Sequence, residues 1–191
     1  MSRREIVKYG DPVLRKVTSR VIKFDKSLRK LIEDMFETMY ASEGIGLAAP
    51  QIGVSKRVLV CDVSYPTERY TADGKKNEEK PTYNSLVLVN PVIIQHEGEM
   101  VSYEGCLSFP NVFFEVKRYQ KIVVKYQDIL GKERRLICEG DLLCRCIQHE
   151  IDHLDGKLFV DKPQDQIVMK ETLDKNGLGE VNSPPPTLLI G

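Results

Sequence analysis

The segment Gln148-His149-Glu150-Ile151-Asp152-His153 constrains this chain more than any other. Its H-E-x-x-H pattern has meaning on a helix. There the two imidazoles stand one turn apart on one face, can hold a single metal ion, and carry Glu150 beside it as a general base. Two of the three histidines in the chain fall in this frame. Leu142, Leu143, Cys146, Ile147, Leu154 and Leu158 make the surrounding stretch the most apolar helical segment. The helix is therefore expected to be buried, starting at Asp141 as N-cap and ending by Asp155-Gly156. Buried imidazoles need partners, and a shared ion supplies one. The plainer alternative is two surface histidines beside an acidic patch, and the apolar setting weighs against it.

A chain of 191 residues fits one domain with a core of its own. Lys+Arg and Asp+Glu both number 28, so the formal charge is zero and nothing points to nucleic acid or a membrane as partner. The start, Met1 to Lys8, has no apolar core of a signal peptide, and no apolar run is long enough to span a bilayer. Five cysteines, at 61, 106, 138, 144 and 146, cannot all pair. Reduced thiols in a bacterial cytoplasm, or in an organelle matrix, are the expectation.

Leu28, Leu31, Ile32, Met35, Phe36, Met39 and Tyr40 recur at helical spacing, predicting a packing helix from about Asp25 to Ser42, with Gly44 stopping it. The glycine-rich run Gly44 to Gly53 is too poor in side chains for ordinary core and suggests close backbone approach. Strands are expected at Arg57–Val63, Leu86–Val89 and Val92–Gln95, with an exposed loop over Ser64 to Thr82. Lys121–Gln127 and Glu133–Cys138 read as a hairpin turning at Leu130-Gly131-Lys132. The fold class is α+β: short antiparallel strands around a central metal-binding helix, with an N-terminal packing helix. Residues 1–165 form the catalytic domain in this reading, and 166–191, ending near Pro184-Pro185-Pro186, form a weakly ordered tail.

A catalytic metal takes three protein ligands and keeps a position for water. His96 is one candidate for the third ligand but reads better as a lone surface histidine. Cys144 and Cys146 lie too near His149 in sequence to reach round the same ion and read as small packing groups. Cys106 is the best candidate. Tyr103-Glu104-Gly105-Cys106-Leu107-Ser108-Phe109-Pro110 reads as an irregular segment able to aim a thiolate and backbone N–H groups at one point.

Three segments together, Gly44 to Gln51 (GIGLAAPQ), Glu104 to Leu107 (EGCL) and Gln148 to His153 (QHEIDH), resemble the signature motifs of the peptide deformylases, and Gly10 to Arg15 is also similar to that family. The resemblance covers about residues 5–162. It implies removal of the formyl group from formyl-methionine of nascent polypeptides, at or near the ribosome. It implies Cys106, His149 and His153 as metal ligands and Glu150 as acid/base, with Gln51 and the Leu107 N–H stabilising the oxyanion. Gly44, Ile45, Gly46, Gly105, Leu142, Arg145 and Cys146 fall at substrate-binding positions, the first three as a strand-like edge for the peptide. Glu43 and Arg118 match a pair that helps hold the site together. The implied cofactor is one divalent ion, ferrous iron (Fe2+) in the cell, with zinc, nickel or cobalt able to replace it.

Two positions depart from the family pattern: Phe113 stands where well-known bacterial members have Arg, and Arg145 where some have an aliphatic residue. A zincin-type endopeptidase shares H-E-x-x-H but needs a distant His or Glu and leaves EGCL and GIGLAAPQ without a role. A non-catalytic metal- or peptide-binding relative would be free to lose Glu150 or Gln51, and both are present.

Overall fold

The computed structural model describes residues 2–64, 85–162 and 165–178. Most of the expected Ser64 to Thr82 loop lies outside them. The first helix, α1 (Lys26–Ala41), opens where Asp25 accepts the N–H groups of Ser27 and Leu28. Its apolar stripe is buried as the spacing predicts. The stop comes one residue before the expected Gly44: Glu43 takes the left-handed turn, at φ 60°.

Seven strands follow: β1 (Gly46–Ala48), β2 (Val58–Cys61), β3 (Leu86–Glu97), β4 (Met100–Cys106), β5 (Phe109–Arg118), β6 (Lys121–Gln127) and β7 (Glu133–Glu139). The H-E-x-x-H segment lies in α2 (Leu142–Leu154), capped by the Asp141 side chain on the Cys144 N–H as expected. A third helix, α3, spans Gln166–Lys175. The strands β1-β2-β3-β6-β7 form one antiparallel sheet in that order, and β4-β5 form a separate antiparallel hairpin.

The β1–β2 end of the large sheet is buried between the first two helices. Leu47, Val58, Val60 and Val89 pack with α1, whereas Ala48, Leu59, Cys61, Leu88, Ile122 and Val124 pack with Ile147, Ile151 and Leu154 of α2. Covering both faces explains why β2 is a continuous apolar run rather than an alternating one. A third cluster joins Phe109, Val112, Phe114 and Val116 of β5 to Leu14, Phe159 and Leu173. The architecture is α+β with α2 at its centre.

Three local expectations need correction. Val92–Gln95 is not a separate strand: β3 runs through Pro91, with a register shift between Val89 and Val92 and Asn90 at φ 53° absorbing the break. The Tyr103–Pro110 segment is not irregular but two paired strands turning at Leu107-Ser108, with one register shift after Gly105. The tail does not begin as a weakly ordered stretch at 166, because Asp165 caps α3 and Leu173 is buried. Its polar composition hides one buried apolar residue, Leu173.

Candidate active site

Helix α2 and strand β4 meet side by side, and their side chains join in three rungs. Arg145 Nη1 donates to Ser102 Oγ at 2.8 Å. His149 Nδ1 lies 2.9 Å from Glu104 Oε2. His153 Nε2 lies 3.2 Å from Cys106 Sγ. The spacing has a simple origin: four helical residues rise about 6 Å and two strand residues about 6.7 Å, so the periods nearly match. One face of α2 therefore carries residues 145, 149 and 153 against residues 102, 104 and 106 of β4.

Cys106, His149 and His153 each offer a ligand atom, and these atoms all lie within 4.8 Å of one another. Ligands bound at about 2.3 and 2.1 Å in a tetrahedron stand about 3.6 Å apart, close to the Cys106–His153 separation. Glu104 occupies Nδ1 of His149 and leaves Nε2 for an ion, the carboxylate–histidine arrangement that orients metal ligands. One thiol with two imidazoles suits iron(II), zinc, cobalt or nickel and not calcium or magnesium. The residues fit such an ion. No other group of three or more His, Cys, Asp or Glu side chains among the described residues offers a metal site, so the distant third ligand of a zincin is not found.

The electrostatics come from burial and from one chain of charges. Lys162 Nζ and Arg118 Nη1 both donate to Asp152 Oδ2, and Arg118 also donates to both oxygens of Glu104, at 2.8 and 2.7 Å. Burial alone would raise the Glu104 carboxyl, but Arg118 and His149 hold it down to about 2. Burial also works against the charge on His149, yet Cys106 and Glu104 push its pKa well up. His153 goes the other way, lowered by burial and by the positive charges of His149 and Arg118. Glu150 is raised to about 7, chiefly by burial, and its Oε2 has no hydrogen-bond partner. A buried carboxylate near neutrality is a natural proton carrier.

A cavity of about 670 Å³ opens onto this cluster. It is lined by Gly44, Ile45, Gly46 and Gln51 on one side, by Gly105, Cys106, Leu107 and Phe113 on another, and by Leu142, Arg145, Cys146, His149 and Glu150 of α2. Of the expected ligand, catalytic and substrate-binding residues, all but His153 line this wall. Gln51 is oriented by the Ala48 N–H, which donates to its Oε1 at 2.8 Å; its Nε2 then faces Cys106 Sγ at 3.5 Å and Ser108 Oγ at 3.3 Å. Close backbone approach, inferred from the glycine-rich run, is real at Gly46. A Cβ there would stand 2.5 Å from Glu150 Oε1 and 2.6 Å from Cys146 Sγ. The strand β1 is an edge of the large sheet, so among the described residues no strand pairs with its other side.

Sequence patterns assign no role to four participants: Ser102, Glu104, Asp152 and Lys162. Alternation was the available signal, because once 102–106 is a strand, residues 102, 104 and 106 share a face. Arg118, expected in a supporting pair with Glu43, has Glu104 and Asp152 as its hydrogen-bonded partners. His96 is exposed and stacks on Tyr119 with ring centroids 3.8 Å apart, away from the cluster.

A family model described as Polypeptide deformylase matches residues 3–168. A peptide deformylase of Caldicellulosiruptor bescii is 51% identical over 162 residues, which are 85% of this chain and 86% of that protein. One from Prochlorococcus marinus is 44% identical over 177 residues, covering 92% and 81%. Among solved structures, a peptide deformylase from Synechococcus elongatus in complex with actinonin aligns with TM-score 0.81 at 41% identity, covering 93% of this chain and 89% of that one. The Thermotoga maritima peptide deformylase aligns with TM-score 0.74 at 40% identity, covering 86% and 100%. A match along nearly the whole chain, in sequence and in fold, makes this protein a member of the peptide deformylase family.

Proposed function

We propose that this enzyme hydrolyses the formamide bond of N-formyl-methionyl ends of nascent polypeptides, releasing formate, with an ion held by Cys106, His149 and His153. One observation carries the proposal: a thiol and two imidazoles converge within 4.8 Å beside the buried carboxyl of Glu150, whose Oε2 has no hydrogen-bond partner. The ion's part, when bound, is Lewis-acid polarisation and the acidification of water.

The residues of the chain do the rest. Glu150 in its carboxylate form takes a proton from the attacking water and returns it to the departing amine nitrogen. Burial raises its pKa above the usual carboxylate range, which suits a group that must hold a proton and then give it back. Negative charge developing on the formyl oxygen meets the Nε2 donor of Gln51, preset by Ala48, and the backbone N–H of Leu107. The peptide lies along the free edge of β1, with Gly44 to Gly46 as the pairing strand. The methionine side chain enters between Ile45 and the α2 face formed by Leu142, Arg145, Cys146 and His149, where the apolar wall suits an unbranched thioether. Glu104 fixes the His149 ring, and Arg118 keeps Glu104 ionised.

Ferrous iron is the ion proposed for the cell, since a thiolate with two imidazoles is a donor set it accepts; zinc, nickel and cobalt fit the same donors. The place of action is the cytoplasm, at chains emerging from the ribosome. In support, the charge balance is neutral and no helix among the described residues is long and apolar enough to cross a membrane. The test is formate release from a formyl-Met peptide against its acetyl-Met twin. Release from the first alone is expected, and equal turnover of the second would remove the deformylase assignment.

A further inference from the structure

The rung between Arg145 and Ser102 takes no part in the hydrolysis described above. Arg145 nevertheless lines the cavity, with one donor engaged by Ser102 Oγ and its Nε without a partner. It stands on the same face of α2 as His149, one turn nearer the N-terminus, a rise of about 6 Å. The formyl carbon must sit at the metal-ligand cluster. A methionyl side chain running from there along α2 toward Leu142 carries its sulfur, three bonds from the Cα, away from His149 and alongside the guanidinium. A thioether is a weak acceptor and gives that donor little. An oxygen on the same sulfur would be a strong one, one bond further out.

We propose that Arg145 extends the substrate range to N-terminal formyl-methionine sulfoxide, the product of oxidising the thioether. The proposal rests on the deformylase function above. The reaction is the same hydrolysis: water and the formylated sulfoxide peptide give formate and the free sulfoxide peptide, with the S–O bond untouched. An aliphatic residue at 145 would leave the sulfoxide oxygen desolvated and unpaired, which rejects it. The guanidinium instead presents N–H donors, and the Ser102 anchor holds the planar fork at the wall. Because a sulfoxide sulfur is chiral, one epimer aims its oxygen at the fork and the other aims it away.

The experiment compares kcat/KM for peptides differing only at the first residue: formyl-Met, each epimer of formyl-Met sulfoxide, and formyl-norleucine as the acceptor-free control. Wild type should turn over one sulfoxide epimer within about tenfold of formyl-Met. Arg145→Leu should lower that sulfoxide-to-Met ratio by about tenfold or more, the scale of a hydrogen bond from a charged donor. The norleucine-to-Met ratio should stay put. Should Arg145→Leu be unstable, Ser102→Ala reads the same ratio, which must fall when the anchor is lost. Rejection of both epimers by more than tenfold in wild type, or an unchanged ratio in the variants, overturns the proposal. Failure on formyl-Met itself would instead speak against the deformylase function.

Discussion

Helix α2 has two neighbours, and it meets them in opposite ways. Toward the large sheet it presents Ile147, Ile151 and Leu154, packed on Leu59, Leu88, Ile122 and Val124 with no polar contact needed. Toward the β4–β5 hairpin it presents Arg145, His149, Asp152 and His153, each engaged with a polar or charged group. The first contact is non-directional and stabilises roughly in proportion to the apolar area it buries. The second gains little by itself, because burying charges costs about what their pairing returns, and it holds only while every partner is present. Stability therefore belongs to the sheet side and chemistry to the hairpin side, with one rigid helix registering the two.

Breaking the polar side at its hub should have the largest effect. The Arg118 side chain is 1% exposed and pairs with both Glu104 and Asp152. Arg118→Leu should destabilise the fold by about 4 kcal/mol, since buried Glu104 loses its guanidinium partner and Asp152 is left with Lys162 alone. Adding Glu104→Gln and Asp152→Asn should recover most of that loss in a denaturant titration. A mild Arg118→Leu phenotype would mean that the network is solvated and the contrast overstated.

On the sheet side, Ile147→Ala removes fully buried methyl groups and should cost about 3 kcal/mol. Metal affinity should change little, because the apolar face holds the helix and not the ion. A large fall in affinity would show that the two faces are coupled. The converse variant, Glu104→Gln, should cost less stability than Arg118→Leu, because Arg118 keeps Asp152, while weakening zinc binding by roughly 10- to 100-fold in a chelator competition, as loss of an orienting carboxylate does.

The smallest effect tests whether charge alone distinguishes the two sides. Asp34 sits on α1, remote from the cavity, and Lys30, the Ser2 N–H and Arg4 hold its carboxyl well below the usual range. A carboxylate with a lowered folded pKa contributes stability above its unfolded value, near 4, and loses it as the pH falls below that. Asp34→Asn should thus lower Tm by a few degrees at pH 7 and by progressively less as the pH falls below about 4, the difference vanishing only once the folded carboxyl is itself protonated. A pH-independent difference would assign the loss to packing.

Much of this division is legible in the amino-acid sequence itself. The 3.6-residue period exposes the apolar face of α2, and H-E-x-x-H exposes two proposed ligands and the carboxylate on the other. Cys106, the proposed third ligand, also stands out, through its glycine neighbour and the EGCL resemblance. What stays hidden is the strand that faces α2. Met100 to Cys106 alternates, but with Ser102 and Glu104 as the inward residues and Tyr103 69% exposed, so its polarity runs opposite to that of a core strand. A pattern tuned to apolar-in strands passes over it, and with it Glu104, the brace of His149. The α3 helix is missed for a related reason: its burial rests largely on Leu173.

The central claim is that the hairpin side of α2 is a one-ion hydrolytic centre in which Glu150 moves the proton. Glu150→Gln tests it directly, read as metal content and formate release on the same sample. The variant should bind one ion per chain, melt like wild type, and release formate from a formyl-Met peptide at least about 100-fold more slowly, because only proton transfer is removed. Near-normal turnover with the ion bound would contradict the account.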